Sequence, residues 1–107
     1  MKDLGALMKQ AGALQAKMKQ AQDRLAASSV TAQAGSGLVT VTLSGTGALS
    51  DLKLDEALLK DADAETLQDL ILAAHRDAKA RLDGLQAELM REAAGPLANM
   101  PGFPGLS

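Results

Sequence analysis

At 107 residues and 47% apolar content the chain is one domain, near the size at which a single core becomes adequate. One Phe, no Tyr and no Trp leave a core of Leu, Val, Met and Ala, and the absence of Cys excludes disulfides, thiol catalysis and cysteine-ligated metals. A formal net charge of −2 excludes a surface that is basic throughout. The N-terminus, MKDLGALMKQ, carries Asp3 and breaks its apolar residues with Lys9 and Gln10, so it does not read as a signal peptide. No apolar run approaches the roughly 20 residues that span a bilayer. The simplest expectation is a soluble cytoplasmic protein without a membrane partner.

The first helix is predicted from about Asp3 to Ala27. Leu4, Leu7, Ala11, Leu14, Met18, Ala21 and Leu25 are spaced alternately three and four apart, the heptad pattern that winds helices around each other. Ser28 and Ser29 compete for backbone hydrogen bonds and mark its end. Gly5 and Gly12 weaken its first half, where fraying is expected.

Three short strands follow, Val30–Ala34, Leu38–Ser44 and Ala48–Leu54. Val39, Val41 and Leu43 alternate with Thr40 and Thr42, the period of a half-buried antiparallel strand, and Gly35-Ser36-Gly37 and Gly45-Thr46-Gly47 supply the turns of a meander. Asp55 is placed to cap a short helical turn through Leu59, and Asp63 to cap the last helix, with Glu65 near its positive end.

The last helix is predicted from about Ala64 to Ala93, about 45 Å long at 1.5 Å per residue. Its seam is Leu67, Ile71, Ala74, Ala78, Leu82, Leu85 and Leu89, which repeats every eleven residues. That period gives a nearly straight stripe, so the two helices are not expected to form one regular coiled coil. Gly95-Pro96 stops the helix, and the Gly/Pro-rich segment 95–107 is expected to be a disordered tail beside a single domain of residues 1–94. Two long seams around a three-stranded sheet leave more apolar stripe than one chain can cover, which predicts an intertwined homodimer of α+β class.

The helix with LMKQAGALQAKMKQAQ, the GSGLVTVTLSG hairpin, the strand ending LKLD, the EALL turn and the helix ETLQDLILAAHRDA together resemble the YbaB/EbfC family of nucleoid-associated proteins. The similarity covers nearly the whole chain, and its most specific part is the glycine before LVTVTLSG at a fixed distance from ETLQDLILAAHRDA. His75 departs from the family, which often carries an aromatic residue there; the position flanks the apolar seam. The resemblance implies a small bacterial homodimer whose protruding helices bind double-stranded DNA and organise the chromosome in the nucleoid.

Charge alone supports this in part. Residues 1–27 hold Lys2, Lys9, Lys17, Lys19 and Arg24 against Asp3 and Asp23, a surplus of three cations in an acidic chain. With Leu4 as heptad position a, Lys2 and Lys9 fall at f and Lys17 and Arg24 at g, one side of the helix, shared with Gln10 and with the two acids at its ends. Such a stripe can follow phosphates, yet Lys and Gln are also ordinary choices for a solvated face beside a helix seam, and the residues alone favour that plainer account. The resemblance reverses the preference. Arg76, Lys79 and Arg81 form a second candidate cluster, ranked lower because Asp77 precedes Arg81 by four residues and is expected to pair with it; Arg91 lies between Glu88 and Glu92 and is expected to be neutralised.

Other chemistry finds little footing. His75 is the lone histidine and suits a half-buried packing role better than a ligand role. Gly35-Ser36-Gly37 lacks the following helix and Lys-Ser/Thr of a phosphate-binding loop, and the acids from Asp51 to Glu65 lack a calcium-loop spacing. The scarcity of aromatic rings argues against single-strand recognition. The expectation is a non-enzyme with no cofactor, metal or small-molecule substrate, bound to duplex DNA mainly through its backbone. The rival class is a polypeptide-binding or adaptor module that grips its target between helical tentacles, with exposed apolar tips and Met8, Met90 and Met100.

Overall fold

The structure, a computed structural model, describes residues 2–95. The elements run α1 (Lys2–Ala26), β1 (Ser29–Ala34), β2 (Val39–Ser44), β3 (Leu49–Leu54), α2 (Glu56–Asp61) and α3 (Ala64–Ala94). This is the expected α+β order, and the three strands form one antiparallel sheet in the order β1-β2-β3. The expectation of a disordered tail falls on residues beyond Gly95 and lies outside the described residues. Helix α1 is continuous through Gly5 and Gly12.

Two differences from the expected strand limits come from turn chemistry. Leu38 belongs to the first turn, where its N–H donates to the Gly35 carbonyl at 3.3 Å across Ser36 and Gly37, both at positive φ (57° and 94°). That is the left-handed geometry of a type I′ turn, whose twist matches the flanking strands. Ala48 belongs to the second turn and accepts a 2.8 Å bond from the Ser44 N–H.

The core lies between the sheet and α3. Val39, Val41 and Leu43 of β2 all point inward at 1% exposure or less and meet Ala32 of β1 and Ala74, Ala78 and Leu82 of α3. Burying each Val or Leu contributes about 1.5–3 kcal/mol. α3 packs on β1 and β2, while its last turns pack on α1, where Ala21 meets Leu89 and Ala93 with Met18, Leu25 and Leu85 around them. Leu25, at the C-terminal root of α1, borders both the sheet core and this second cluster, and α3 meets the sheet through Ala74, Ala78 and Leu82 before it meets α1 through Leu89 and Ala93, so the two helices run antiparallel. The described chain measures 72 × 24 × 16 Å.

β3 is the element whose facing could not be read from alternation. Val39 pairs with Leu54 and Val41 with Leu52, but Leu43 pairs with Leu49, because Ser50 is an extra residue in a β-bulge. Its hydroxyl donates to the Thr42 carbonyl at 3.2 Å. Directly paired residues share a face, so the bulge turns Leu49 to the same side as Leu52 and Leu54. α3 covers β1 and β2 but leaves this row open: Leu49 is 54% and Leu52 38% exposed.

Local hydrogen bonds close the helix ends as expected. The Asp55 carboxylate accepts the Ala57 N–H at 2.8 Å, and the Asp63 carboxylate accepts the Thr66 N–H at 2.8 Å. His75 is exposed, which corrects the half-buried role expected for it: α3 turns Ala74 and Ala78 to the sheet and His75 to solvent.

Gly45 joins α1 to the sheet. Its N–H donates to the Ser28 carbonyl at 2.9 Å, and a Cβ at this position would stand 1.5 Å from the Leu25 carbonyl oxygen, a backbone atom with no room to yield. Gly45→Ala is therefore expected to destabilise by about 3 kcal/mol or more. Ser36→Gly, at a left-handed position that costs a non-glycine residue about 1 kcal/mol, should stabilise by up to that amount. Thermal melts followed by far-ultraviolet circular dichroism check both signs.

Asp63 supplies a pH prediction. Hydrogen bonds from Thr66, first from its hydroxyl and then from its backbone N–H, hold the carboxyl below its ordinary value of 3.8. A depressed folded-state value means that the stabilisation is complete above the unfolded value and is lost as pH falls through the folded one. The melting-point gap between the native chain and Asp63→Ala should stay constant above about pH 5 and shrink below about pH 4.

Candidate nucleic-acid interface

The cations singled out in the sequence fall into two groups in the fold. Lys9, Lys17 and Lys19 are exposed on α1, and Arg76 is exposed on α3; among the described residues none of the four forms an ion pair. Lys2 opens α1. The other three are engaged. Arg24 donates to Glu92 across the α1–α3 contact, Nη1 to Oε2 at 3.3 Å, with both side chains more than half exposed. Lys79 donates to Asp83 at 2.6 Å, one turn along α3.

Arg81 is the third, and its role differs from the expected pairing with Asp77. Its guanidinium leaves the helix and donates to the Thr31 carbonyl at 2.8 Å. β1 is an edge strand, and Arg81 occupies one of its outward carbonyls beside the Gly35-Ser36-Gly37 turn. A backbone acceptor 50 residues away thus replaces the carboxylate four residues away. Glu92, expected to neutralise Arg91, is held by Arg24 instead.

The free cations on α1 are arranged around its packed side. Lys17 lies with Gln20 and Arg24 beside Glu92 and Ala93, along one flank of the α1–α3 contact. Lys19 lies with Gln15 and Gln22 along a shallow groove on another side of the helix. Lys9 stands farther out, on the half of α1 that no described element covers, where residues 3–13 are all exposed. Lysines and glutamines on a rod of this kind offer movable donors without the fixed fork of Arg, which suits phosphate and sugar oxygens better than base edges. Arg76 shares a face of α3 with Leu72, His75 and the Lys79–Asp83 pair, so its surroundings are mixed in character.

One surface feature escaped the sequence reading, the open row Leu49 and Leu52 on β3. Its signal depends on the Ser50 bulge, and in the sequence LSDLKL the leucines are spaced three and then two apart, which points them to opposite faces of a regular strand.

No helix among the described residues is long and apolar enough to cross a membrane. The model of the YbaB/EbfC DNA-binding family matches residues 1–97. The chain is 55% identical over 107 residues to a nucleoid-associated protein of Caulobacter sp. (strain K31), covering 99% of this chain and 98% of that one. It is 54% identical over 106 residues to a nucleoid-associated protein of Phenylobacterium zucineum (strain HLK1), covering 99% of each. Among solved structures, an uncharacterized protein from Helicobacter pylori shares the fold at a TM-score of 0.67 and 25% identity, over 89% of this chain and 97% of that one. That family is one of nucleoid-associated DNA-binding proteins rather than of enzymes, and with a match over nearly its whole length this chain belongs to the YbaB/EbfC DNA-binding family.

Proposed function

We propose that the chain acts as a homodimer in the nucleoid, binding duplex DNA through phosphate contacts along α1 and thereby organising the chromosome, with transcription altered where bound stretches cover promoters. The observation that carries this reading is the set of exposed lysines, Lys9, Lys17 and Lys19, unpaired among the described residues on the one strongly basic element of an acidic chain. Duplex DNA presents about one charge per 1.7 Å, so a rod about 37 Å long can lie beside many phosphates at once. The carboxylates of Glu92 and Asp83 already hold Arg24 and Lys79, and Arg81 is committed to the sheet edge; these three rank below the free lysines as contacts.

The open row on β3 supports the dimer. Leu49 and Leu52 lie on the part of the sheet's inner face that α3 does not reach, and among the described residues no cation folds over the β3 edge as Arg81 does over β1. A second copy pairing there would extend the sheet and cover both leucines, twofold symmetry setting two α1 rods at fixed separation. A pair of rods can coat one duplex or bridge two.

Two measurements test the reading. Sedimentation at low micromolar concentration, followed at a peptide-bond wavelength because the chain has no Trp or Tyr, should give about twice 11.0 kDa. Leu52→Lys should shift the mass toward a single chain; a native chain sedimenting as a monomer would remove the dimer. For DNA, random-sequence duplex should bind the native chain with a steep salt dependence, and Lys9→Gln/Lys17→Gln/Lys19→Gln should lose most of the affinity. Each lost contact flattens the slope of log affinity against log salt by about 0.9, so a dimer losing six flattens by about five. Glutamine keeps the helix. Unchanged affinity and slope in that variant would make the lysines a solvated face and give the polypeptide-binding reading first place.

A further inference from the structure

The apolar stripe of α1 has a partner over only half its length. Met18, Ala21 and Leu25 pack with Leu85, Leu89 and Ala93 of α3, whereas residues 3–13 are all exposed among the described residues. Leu4, Leu7 and Met8 stand at 57%, 60% and 68% exposure. The open part keeps the spacing of the covered part: Leu4, Leu7, Ala11 and Leu14 are alternately three and four apart, and Met18 and Ala21 carry the series into the contact with α3. A seam with this spacing is the surface that a second helix fills, knobs into holes.

A second copy of α1 fits the seam in one direction. Parallel pairing would crowd two sheets and two α3 helices at the same end, and it would set Asp3 against the partner's Met8 and Lys17 against the partner's Gln22. Antiparallel pairing puts the bulk of the two chains at opposite ends. The register then follows from what is free. Met18 is taken by α3, so the longest overlap of open seam stacks Leu4 on the partner's Leu14 and Leu7 on the partner's Ala11, with both layers repeated by twofold symmetry. That choice fixes the flanks, and they match. On one flank Asp3 faces the partner's Lys17 at each end of the overlap, with Gln10 facing the partner's Gln10 between them. On the other, Met8, the most exposed large apolar side chain among the described residues, meets the partner's Met8. Neither Asp3 nor Lys17 has an ion-pair partner among the described residues of its own chain.

We propose that the N-terminal half of α1 pairs antiparallel with the same segment of a second copy, from Leu4 to Leu14 on each side, with the two Asp3–Lys17 contacts setting the register. An exposed ion pair contributes little by itself, but opposite charges in one register and like or missing partners in others select between them. The overlap is about 15 Å long, about three turns of each helix. That is the small end of specific interfaces, so pairing sets in at about 0.1–1 mM and leaves the low-micromolar mass unchanged. Lys9 and Lys19 lie off the seam and stay open to solvent, and Lys17 keeps donors free at the rim. Where many copies sit side by side on a duplex, their local concentration is raised and the contact joins one bound copy to another. That consequence rests on the DNA reading; the pairing does not.

The test uses the Leu52→Lys chain without DNA, so that neither the β3 row nor any phosphate takes part. Its sedimentation mass should rise about twofold between about 20 µM and 1 mM. Asp3→Lys sets like charges at both ends of the overlap and should weaken the association about tenfold, as should Lys17→Asp. The swap Asp3→Lys/Lys17→Asp restores opposite charges and should return the association to within about twofold of the parent chain. Both side chains are exposed, so the variants leave the fold intact. The absence of cysteine permits a second readout. Nitroxides on Met8→Cys lie about 3 Å apart along the paired axis and should broaden each other's spectra, whereas on Lys19→Cys they lie about 30 Å apart and should not. A mass that does not rise would overturn the proposal and leave the seam to a different occupant. A swap no tighter than the single variants, or equal broadening at the two sites, would overturn it as well.

Discussion

Two alanines set the geometry of this fold. Ala74 and Ala78 of α3 have no exposed surface, and their small side chains let the helix lie close against β1 and β2, where Ala32, Val41 and Leu43 fill the space between. A larger residue at either position would lift the helix off the sheet and open the core along its length. Close approach at this point also aims the rest of α3. Once its middle is seated on the strands, its last turns overshoot the sheet and meet α1, so one helix both closes the core and holds the arm.

That double duty explains what remains open. A helix seated over β1 and β2 cannot also cover β3, and a helix that ends at Ala94 cannot follow α1 to its start. Among the described residues, the openness of the β3 row and of the outer α1 stripe follows from one helix length and one seating. The sheet edges show the same asymmetry. Arg81 guards β1 by taking the Thr31 carbonyl, a device that lowers the appeal of that edge to other strands, whereas β3 has only the Ser50 bulge and Lys53.

Elements governed by local rules were legible in the sequence: the alternation of Val39, Val41 and Leu43, the Asp55 and Asp63 caps, the glycine turns and the seam of α3 all match the fold. The identities of the candidate cations were legible too, but not their partners. Helix spacing allows Arg81 to pair with Asp77 and Lys79 with Asp83 on equal terms, and only the approach of α3 to the edge of β1 decides that Arg81 turns away. Arg24 and Glu92 are 68 residues apart and meet because two helices cross at that level. Periodicity likewise showed that α1 has an apolar stripe, while how much of it is covered depends on where its partner stops. His75 was misplaced for the same reason, since a face is assigned by the neighbour that covers it, and the side taken by Leu49 is set by a one-residue bulge that alternation does not reveal.

The contact between Gly45 and the Leu25 carbonyl has a mechanical meaning as well as a packing one. α1 is a lever anchored at its C-terminal root, and from Ala26 to Leu4 it extends about 33 Å at 1.5 Å per residue. A tilt of about 10° at the root displaces the tip by about 6 Å over that length, which is several times the tolerance of a hydrogen bond. By admitting the Leu25 carbonyl so near its own backbone, Gly45 fixes the angle of the lever where small errors would be most amplified. The hairpin tip therefore serves as the fulcrum that decides where Lys9 stands in space.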